Sequence, residues 1–222
     1  MQSRTLAGWI VGIVSVVPPV GAATGGRHGS VPEKLVPEAT WVFYLHGAIV
    51  ESEDRRAEHP RFGVYEYDAV ADALAAEGFE IVSEARPAGT TVSGYAEKVA
   101  GQVRELLARG VPGSRIALVG HSKGGVIALE ASSRLARDDI TYVILAACGP
   151  WMKEAGLHLR GRLLSLYDRA DDMAGSCREA VGEGFPGEET RLELGGGHGV
   201  FFRPLPEWVE PAAKWIRGEA TE

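Results

Sequence analysis

Short apolar runs alternate with amphipathic stretches along most of the chain. The mostly apolar runs at 41–45, 79–83, 116–119, 141–146 and 162–167 have the length and bulk of buried strands, and 190–194 looks like a further short strand. Apolar residues recur at helical spacing near 65–77, 92–109, 125–137, 172–181 and 206–217. Strands that alternate with helices usually pack as a parallel sheet covered on both faces. The pattern therefore predicts an α/β fold built on a doubly wound, mostly parallel, six-stranded sheet.

The N-terminal segment has a different pattern from the rest. Arg4 precedes an apolar stretch at 6–17, two prolines follow, and Ala22-Ala23 end a run of small residues. This order is typical of a signal peptide, predicted here at 1–23 with cleavage near Ala23. The alternatives are an uncleaved anchor, for which the stretch is short, and a first strand. We expect an exported protein, periplasmic or secreted, without integral membrane association after cleavage.

Size and charge limit what the rest of the chain forms. Its 222 residues suffice for one α/β domain and not for two. Residues 24–39 contain glycine and proline with little periodicity, which predicts an irregular arm, and 40–222 form the predicted domain. The formal net charge of −7 argues against nucleic acid as a partner, because phosphate binding needs a basic surface.

The only two cysteines follow the ends of neighbouring predicted strands. Cys148 lies after the run at 141–146, and Cys177 lies beyond the loop that follows the run at 162–167. A disulfide between them is geometrically reasonable in an oxidising compartment, and two buried free thiols are the alternative. No spacing of cysteines and histidines predicts a metal site.

The sequence at 120–124, Gly-His-Ser-Lys-Gly, carries the strongest chemical signal. It matches the pattern G-x-S-x-G and stands between a predicted strand and a predicted helix. In that setting a sharp turn exposes the serine, and a serine hydroxyl needs such exposure and a neighbouring base to act as a nucleophile. Ser122 is therefore the predicted nucleophile, against the alternative of a structural strand-to-helix turn.

Candidate partners for Ser122 follow it in the chain. His198 lies in a glycine-rich loop after the last predicted strand, where an imidazole can act as general base; an exposed loop histidine is the alternative. Asp171 is the predicted acid that orients this imidazole, because the strand at 162–167 needs a short turn before a carboxylate can reach it. Asp172 and Asp168 remain the second and third candidates.

The chain resembles the α/β-hydrolase superfamily from about residue 40 to residue 216. The resemblance rests on the order Ser, Asp, His around the elbow at 120–124 and on the segment 41–47, Trp-Val-Phe-Tyr-Leu-His-Gly. That segment is similar to the first central strand of the superfamily and its His-Gly turn. The resemblance implies that the backbone N–H groups of Ala48 and Lys123 form an oxyanion hole and that His46 is structural.

The resemblance also implies the kind of enzyme, which is a small exported serine hydrolase of bacterial type. Only a short segment at 148–159 stands where larger relatives insert a lid domain, so we expect none. A long polar loop at 50–62 should border the mouth of the pocket. Arg86 and Lys123 either add positive charge there or are ordinary structural residues.

The implied reaction is cleavage of a carboxylic ester or thioester through an acyl-enzyme, with a small-molecule acyl substrate and no cofactor. Two alternatives remain: a ligand-binding protein without turnover on the same fold, and lyase-type chemistry at the same site. The acyl and alcohol groups, an amide as the cleaved bond, and the oligomeric state stay open at the level of sequence.

Overall fold

A computed structural model describes residues 25–53 and 55–219, so the predicted signal peptide lies outside the described residues. The strands in this part of the chain are β1 (Arg27–His28), β2 (Trp41–Leu45), β3 (Glu58–His59), β4 (Gly63–Val64), β5 (Glu80–Val82), β6 (Ile116–His121), β7 (Thr141–Leu145), β8 (Arg162–Asp168) and β9 (Gly187–Leu192). Seven of them form one sheet in the order β1-β5-β2-β6-β7-β8-β9, and β3 pairs with β4 in a small antiparallel hairpin.

Helices cover the sheet on both faces. They are α1 (Ile49–Glu53), α2 (Tyr67–Ala76), α3 (Val92–Ala108), α4 (Lys123–Leu135), α5 (Cys177–Val181) and α6 (Pro206–Arg217). Buried side chains of α2 and α6 pack against Val42 and Tyr44 of β2, whereas those of α3 and α4 pack against Trp41 and Phe43. Within the described ranges, no helix is long and apolar enough to cross a membrane.

The topology confirms the predicted doubly wound α/β fold. All neighbouring strands of the large sheet run parallel. The chain passes from β2 outward to β5 and then returns to β6 on the other side of β2, so the strand order reverses between β2 and β6. In such sheets the crevice at the carboxyl ends of the two strands is where ligands bind.

The sheet has one strand more than predicted. The arm at 24–39 is not wholly irregular, because Arg27 and His28 pair in parallel with Ile81 and Val82 of β5. A strand of two residues is too short to show any periodicity, and the partners of its side chains, such as Glu80 for His28, lie far along the chain. It covers an edge of the sheet that β5 would otherwise leave unpaired.

Two other elements differ from their predicted bounds. The strand predicted at 190–194 is β9, which begins at Gly187 and ends at Leu192, and the helix predicted near 172–181 is reduced to α5. Ahead of α5, the Asp171 carboxylate accepts hydrogen bonds from the N–H groups of Met173 and Ala174, so a side chain takes donors that a helix would use. The helix starts only after Ser176, whose hydroxyl caps it.

Candidate active site

Ser122 lies at the sharp turn between β6 and α4. Its backbone has φ 53° and ψ −122°, a conformation that L residues rarely adopt. The turn is tight enough to exclude side chains on both sides: a Cβ on Gly120 would lie 2.4 Å from the Gly124 carbonyl oxygen, and one on Gly124 would lie 1.9 Å from that of Leu45. The two glycines are therefore needed for the crossing of strand and helix that presents Ser122.

Asp171 and His198 are brought together by loops at the carboxyl ends of β8 and β9. His198 Nδ1 lies 2.9 Å from Asp171 Oδ2, and the two side chains are 7% and 0% exposed. A carboxylate only accepts hydrogen bonds, so Nδ1 carries the proton and Nε2 is left with its lone pair. The pair has the arrangement by which a carboxylate orients a general base.

The other two aspartates contact different groups. Asp168 is fully buried, and its carboxylate accepts hydrogen bonds from the backbone N–H groups of Ala170, Leu194, Gly195 and Gly197. Asp172 is exposed and pairs with Arg61 at 2.8 Å; this hydrogen bond lowers the pKa of the Asp172 carboxyl. Among the three predicted candidates, Asp171 is thus the one that contacts His198.

Ser122 and His198 line one cavity of about 110 Å³, together with Ala48, Ile49, Phe62, Met173 and Phe202. No hydrogen bond joins the two side chains in the described structure, and such bonds are often long before a substrate binds. A larger cavity of about 340 Å³ is lined by Asp171 and shares Met173 with the smaller one, but it contains neither Ser122 nor His198. The smaller cavity is therefore the candidate reaction site.

The predicted oxyanion donors lie on two sides of the nucleophile. Ala48 is an exposed residue of the turn after β2 and lines the cavity, and Lys123 is the first residue of α4. Among the described residues, neither backbone N–H takes part in a hydrogen bond within the protein. Both groups are thus free to donate to an oxygen atom at Ser122.

His46 holds the turn after β2. Its Nε2 accepts a hydrogen bond from the Arg86 N–H at 2.8 Å, so its Nδ1 carries the proton and donates to the Gly47 carbonyl at 2.7 Å. Burial, followed by the charge of Arg86, lowers the pKa of His46 to about 3. A neutral imidazole with both nitrogens occupied has no free group for proton transfer, which fits the structural role that the resemblance implies.

A second buried histidine lies behind the candidate base. The rings of His121 and His198 have centroids 4.8 Å apart, and His121 Nδ1 lies 3.2 Å from the hydroxyl of Tyr65, which accepts a hydrogen bond from the Gly47 N–H. Burial, followed by the charge of His198, holds the pKa of His121 well below its usual value. Burial also raises the pKa of Tyr65 to about 12. The network links the elbow to the turn after β2 through neutral groups.

Because the pKa values of the buried His46 and His121 are lowered, we expect the protein to lose stability in mild acid. Between about pH 6.5 and pH 3 the unfolded chain protonates His46 while the folded protein does not, so the free energy of unfolding falls as the pH is lowered. At pH 5 this amounts to about 2 kcal/mol for His46, whose folded pKa lies far below that pH. Urea unfolding at pH 7 and pH 5 measures it, with His46→Gln as the comparison. A loss in the variant as large as in the wild type would contradict this role of His46.

Arg86 and Lys123 do not supply free charge to the pocket mouth. Both side chains bind the carboxylate of Glu51, Arg86 through Nε at 2.8 Å and Lys123 through Nζ at 2.6 Å. Of the two roles left open by the sequence, the structural one fits these contacts.

The loop at 50–62 borders the site and contains structure that its polar sequence does not reveal. It includes α1 and the hairpin β3–β4, and the hairpin places Phe62 with its ring centroid 6.2 Å from that of His198. A Cβ on Gly199 would lie 2.6 Å from that of Phe62, so the hairpin packs directly on the segment that carries His198. Arg61 extends this contact to Asp172 across the cavity rim.

Cys148 and Cys177 form a disulfide, the pairing that the sequence leaves open. Both residues are 1% exposed, and the Gly175 N–H donates to the Cys148 carbonyl at 3.0 Å. The segment after β7 is thereby attached to the loop that carries Asp171.

Sequence reasoning missed the roles of several residues that shape the site. Asp168, Tyr65 and Glu51 are buried or nearly buried polar groups whose partners lie far away in the chain. The signals visible in the sequence were weak: an aspartate at the end of a strand, a tyrosine at the start of a predicted helix and a glutamate within a polar loop. Phe62 and Met173 stood in segments predicted as loop and helix, with nothing to place them at the cavity.

Similarity to known protein structures identifies the fold. No family model and no curated protein matches the sequence. Solved structures do match. One is an esterase of the bacterial hormone-sensitive lipase family, with a TM-score of 0.58 at 18% identity over 88% of this chain and 78% of the other.

Two further matches extend over almost the whole of the other chain. Esterase PE8 has a TM-score of 0.52 at 15% identity over 90% of this chain and 97% of its own. SOBER1 from Arabidopsis thaliana has a TM-score of 0.53 at 12% identity over 81% of this chain and 98% of its own. With the parallel sheet, the elbow and the crevice between β2 and β6, these similarities show that the protein has the α/β-hydrolase fold.

Proposed function

We propose that the protein is a serine hydrolase that cleaves a carboxylic ester or thioester through an acyl-enzyme. The observation that carries the proposal is the hydrogen bond between Asp171 and His198, beside a cavity that His198 lines together with Ser122 on its strained elbow. The esterases among the structural neighbours favour an ester as the bond that is cleaved.

The geometry suits a two-step acyl transfer. Ser122 Oγ attacks the carbonyl carbon while His198 Nε2 takes the hydroxyl proton, and Asp171 stabilises the resulting imidazolium. The N–H groups of Ala48 and Lys123 donate to the oxyanion of the tetrahedral intermediate. His198 then gives the proton to the leaving alcohol or thiol. Water, deprotonated by the same imidazole, attacks the acyl carbon; the bond to Ser122 Oγ then breaks, His198 returns the proton to Oγ, and the acyl group leaves as a carboxylic acid.

Labelling by a fluorophosphonate tests this proposal. We expect the folded protein to be labelled at Ser122, and we expect no labelling of Ser122→Ala or of heat-denatured protein, because only the assembled site activates the hydroxyl. Peptide mass analysis identifies the labelled residue. Folded wild-type protein that stays unlabelled would refute the proposal. Saturable ligand binding unchanged in Ser122→Ala, without turnover, would then favour a binding protein.

The cavity predicts a preference for short acyl chains. At about 110 Å³ this cavity is small, and it leaves little continuous apolar surface for a long acyl chain. We expect kcat/KM for p-nitrophenyl esters to be highest at acetate to butyrate and to fall for longer chains. Phe62→Ala, which removes a ring from the cavity wall, should move the optimum to longer chains.

A matched control distinguishes this effect from the loss of any large exposed apolar side chain. Leu194 is a large apolar side chain, 40% exposed, that does not line the cavity, so Leu194→Ala should leave the chain-length profile unchanged. A wild-type optimum at long acyl chains would contradict the prediction.

We also propose that the protein is exported. The Cys148–Cys177 disulfide supports this, because such bonds persist in oxidising compartments, and so does the signal-like sequence at 1–23. Mass analysis of the protein from its native cell should find a mature chain that begins near residue 24, in the periplasm or the medium. An intact N-terminus on cytosolic protein would refute export.

A further inference from the structure

We infer that Glu51 is a positioning residue that holds the two proposed oxyanion donors, the N–H groups of Ala48 and Lys123, at their working separation. This role rests on the proposed function, since it matters only if an oxyanion forms at Ser122. The two donors belong to different segments, one after β2 and one at the start of α4. Covalent geometry alone therefore does not fix the distance between them.

Glu51 joins these two segments directly. Its own N–H donates to the Ala48 carbonyl at 3.0 Å, which places it one turn beyond the first donor. Its carboxylate is 6% exposed and accepts a hydrogen bond from Lys123 Nζ at 2.6 Å. One side chain thus connects the turn that carries Ala48 to the residue that supplies the second donor.

Arg86 extends the connection to the other side of the turn. Its guanidinium is fully buried and donates from Nε to Glu51 at 2.8 Å and from Nη2 to the His46 carbonyl, while its N–H donates to His46 Nε2. Ala48 is therefore flanked by His46 and Glu51, and both are bound to the same arginine. Lys123 Nζ also donates to the Thr90 carbonyl in the loop after β5, so three segments meet at one carboxylate.

The charges make the cluster depend on Glu51. Without its negative charge, Arg86 and Lys123 would be two neighbouring cations with little access to water, and breaking a buried ion pair is strongly destabilising. The cations would separate or draw in water, and the segments attached to them would shift. Misplacement of catalytic groups by about 1 Å can lower a rate by about 100-fold.

Glu51→Gln tests the inference with little change of shape. We expect kcat to fall by roughly 10- to 100-fold, because the donors act on the oxyanion and not on the bound ester. The affinity for a short alkyl boronic acid, which forms a tetrahedral adduct on serine, should fall by a similar factor. KM and the affinity for the product alcohol should change little. The shape of the pH profile of kcat/KM should be retained, since Glu51 transfers no proton.

Two comparisons isolate the positioning role. Glu97 is 54% exposed and binds Arg104 and Arg134 at the surface, away from this cluster, so Glu97→Gln should leave kcat unchanged. If Glu51 acts through Lys123, then Lys123→Met should also lower kcat. The double variant should be little worse than Glu51→Gln alone, because the two changes break the same contact.

Two results would overturn the inference. One is a Glu51→Gln protein with a lower melting temperature and kcat within about twofold of wild type, which would make the cluster purely structural. The other is an equal loss of affinity for the boronic acid and for the product alcohol, which would indicate a collapsed pocket. If Glu51→Gln does not fold, Lys123→Met decides: its side chain is 22% exposed, and unchanged kcat there would refute the role.

Different experimental results would refute the proposed function and this inference. Wild-type protein that a fluorophosphonate does not label refutes the serine hydrolase, whatever Glu51 does. Labelled wild-type protein with unaffected kcat in Glu51→Gln refutes only the positioning role.

Discussion

Replacing Asp171 by asparagine is expected to lower kcat on the order of 10⁴-fold, as the equivalent change does in serine proteases, while the fold is retained. The Asp171 carboxylate accepts the Nδ1 proton of His198 at 2.9 Å, and an amide that donates instead would favour the other tautomer and leave no base facing Ser122. The asparagine oxygen can still accept from the N–H groups of Met173 and Ala174. Steady-state kinetics and circular dichroism on the same preparation measure both outcomes.

The neighbouring aspartates supply matched controls for Asp171→Asn. Asp172 has a side chain 62% exposed and contacts Arg61, so Asp172→Asn should change kcat by no more than a few-fold. Asp168 binds backbone N–H groups on the loop before His198, so Asp168→Asn should lower the melting temperature more than it lowers kcat. A large loss of kcat at Asp172 or Asp168, with little at Asp171, would assign the acid to that residue instead.

The elbow at Ser122 could be predicted from the sequence because its residues are contiguous in the chain. The strand, the two glycines, Ser122 and the following helix occupy one short segment, and the glycines are required by backbone contacts within that turn and with β2. The alternation of strands and helices predicted a doubly wound, mostly parallel sheet for the same reason, because each element is one contiguous segment. Asp171 and His198 follow from the positions of strand ends in chain order, with the choice among three aspartates left to loop geometry.

The contacts that join distant segments could not be predicted from the sequence, because they depend on pairs of residues far apart in the chain. Glu51 meets Arg86 across 35 residues and Lys123 across 72. Charged residues in a polar loop usually face solvent, so the sequence gives no reason to bury Glu51. The short strand β1 has the same difficulty, because the partners of its backbone and of His28 lie on β5, far along the chain.

Reduction of the Cys148–Cys177 disulfide is expected to lower the free energy of unfolding by about 3–4 kcal/mol, the loop-entropy value for cysteines 29 residues apart. For a domain of this size the melting temperature should then fall by roughly 10 °C. Activity should fall as well, because the bond fixes the segment after β7 against the loop from Asp171 to Ser176, where the Gly175 N–H meets the Cys148 carbonyl. Thermal unfolding and ester hydrolysis, each with and without reductant, measure the two effects.

A double variant, Cys148→Ala with Cys177→Ala, is the control for the disulfide. It should resemble the reduced wild type in stability, and reductant should have no further effect on it, because its loop is already unconstrained in the unfolded chain. Titration of thiols in unfolded, unreduced protein from the native compartment provides an independent measurement. Two free thiols there would rule out the bond in the cell, and the proposed export would then rest on the sequence at 1–23 alone.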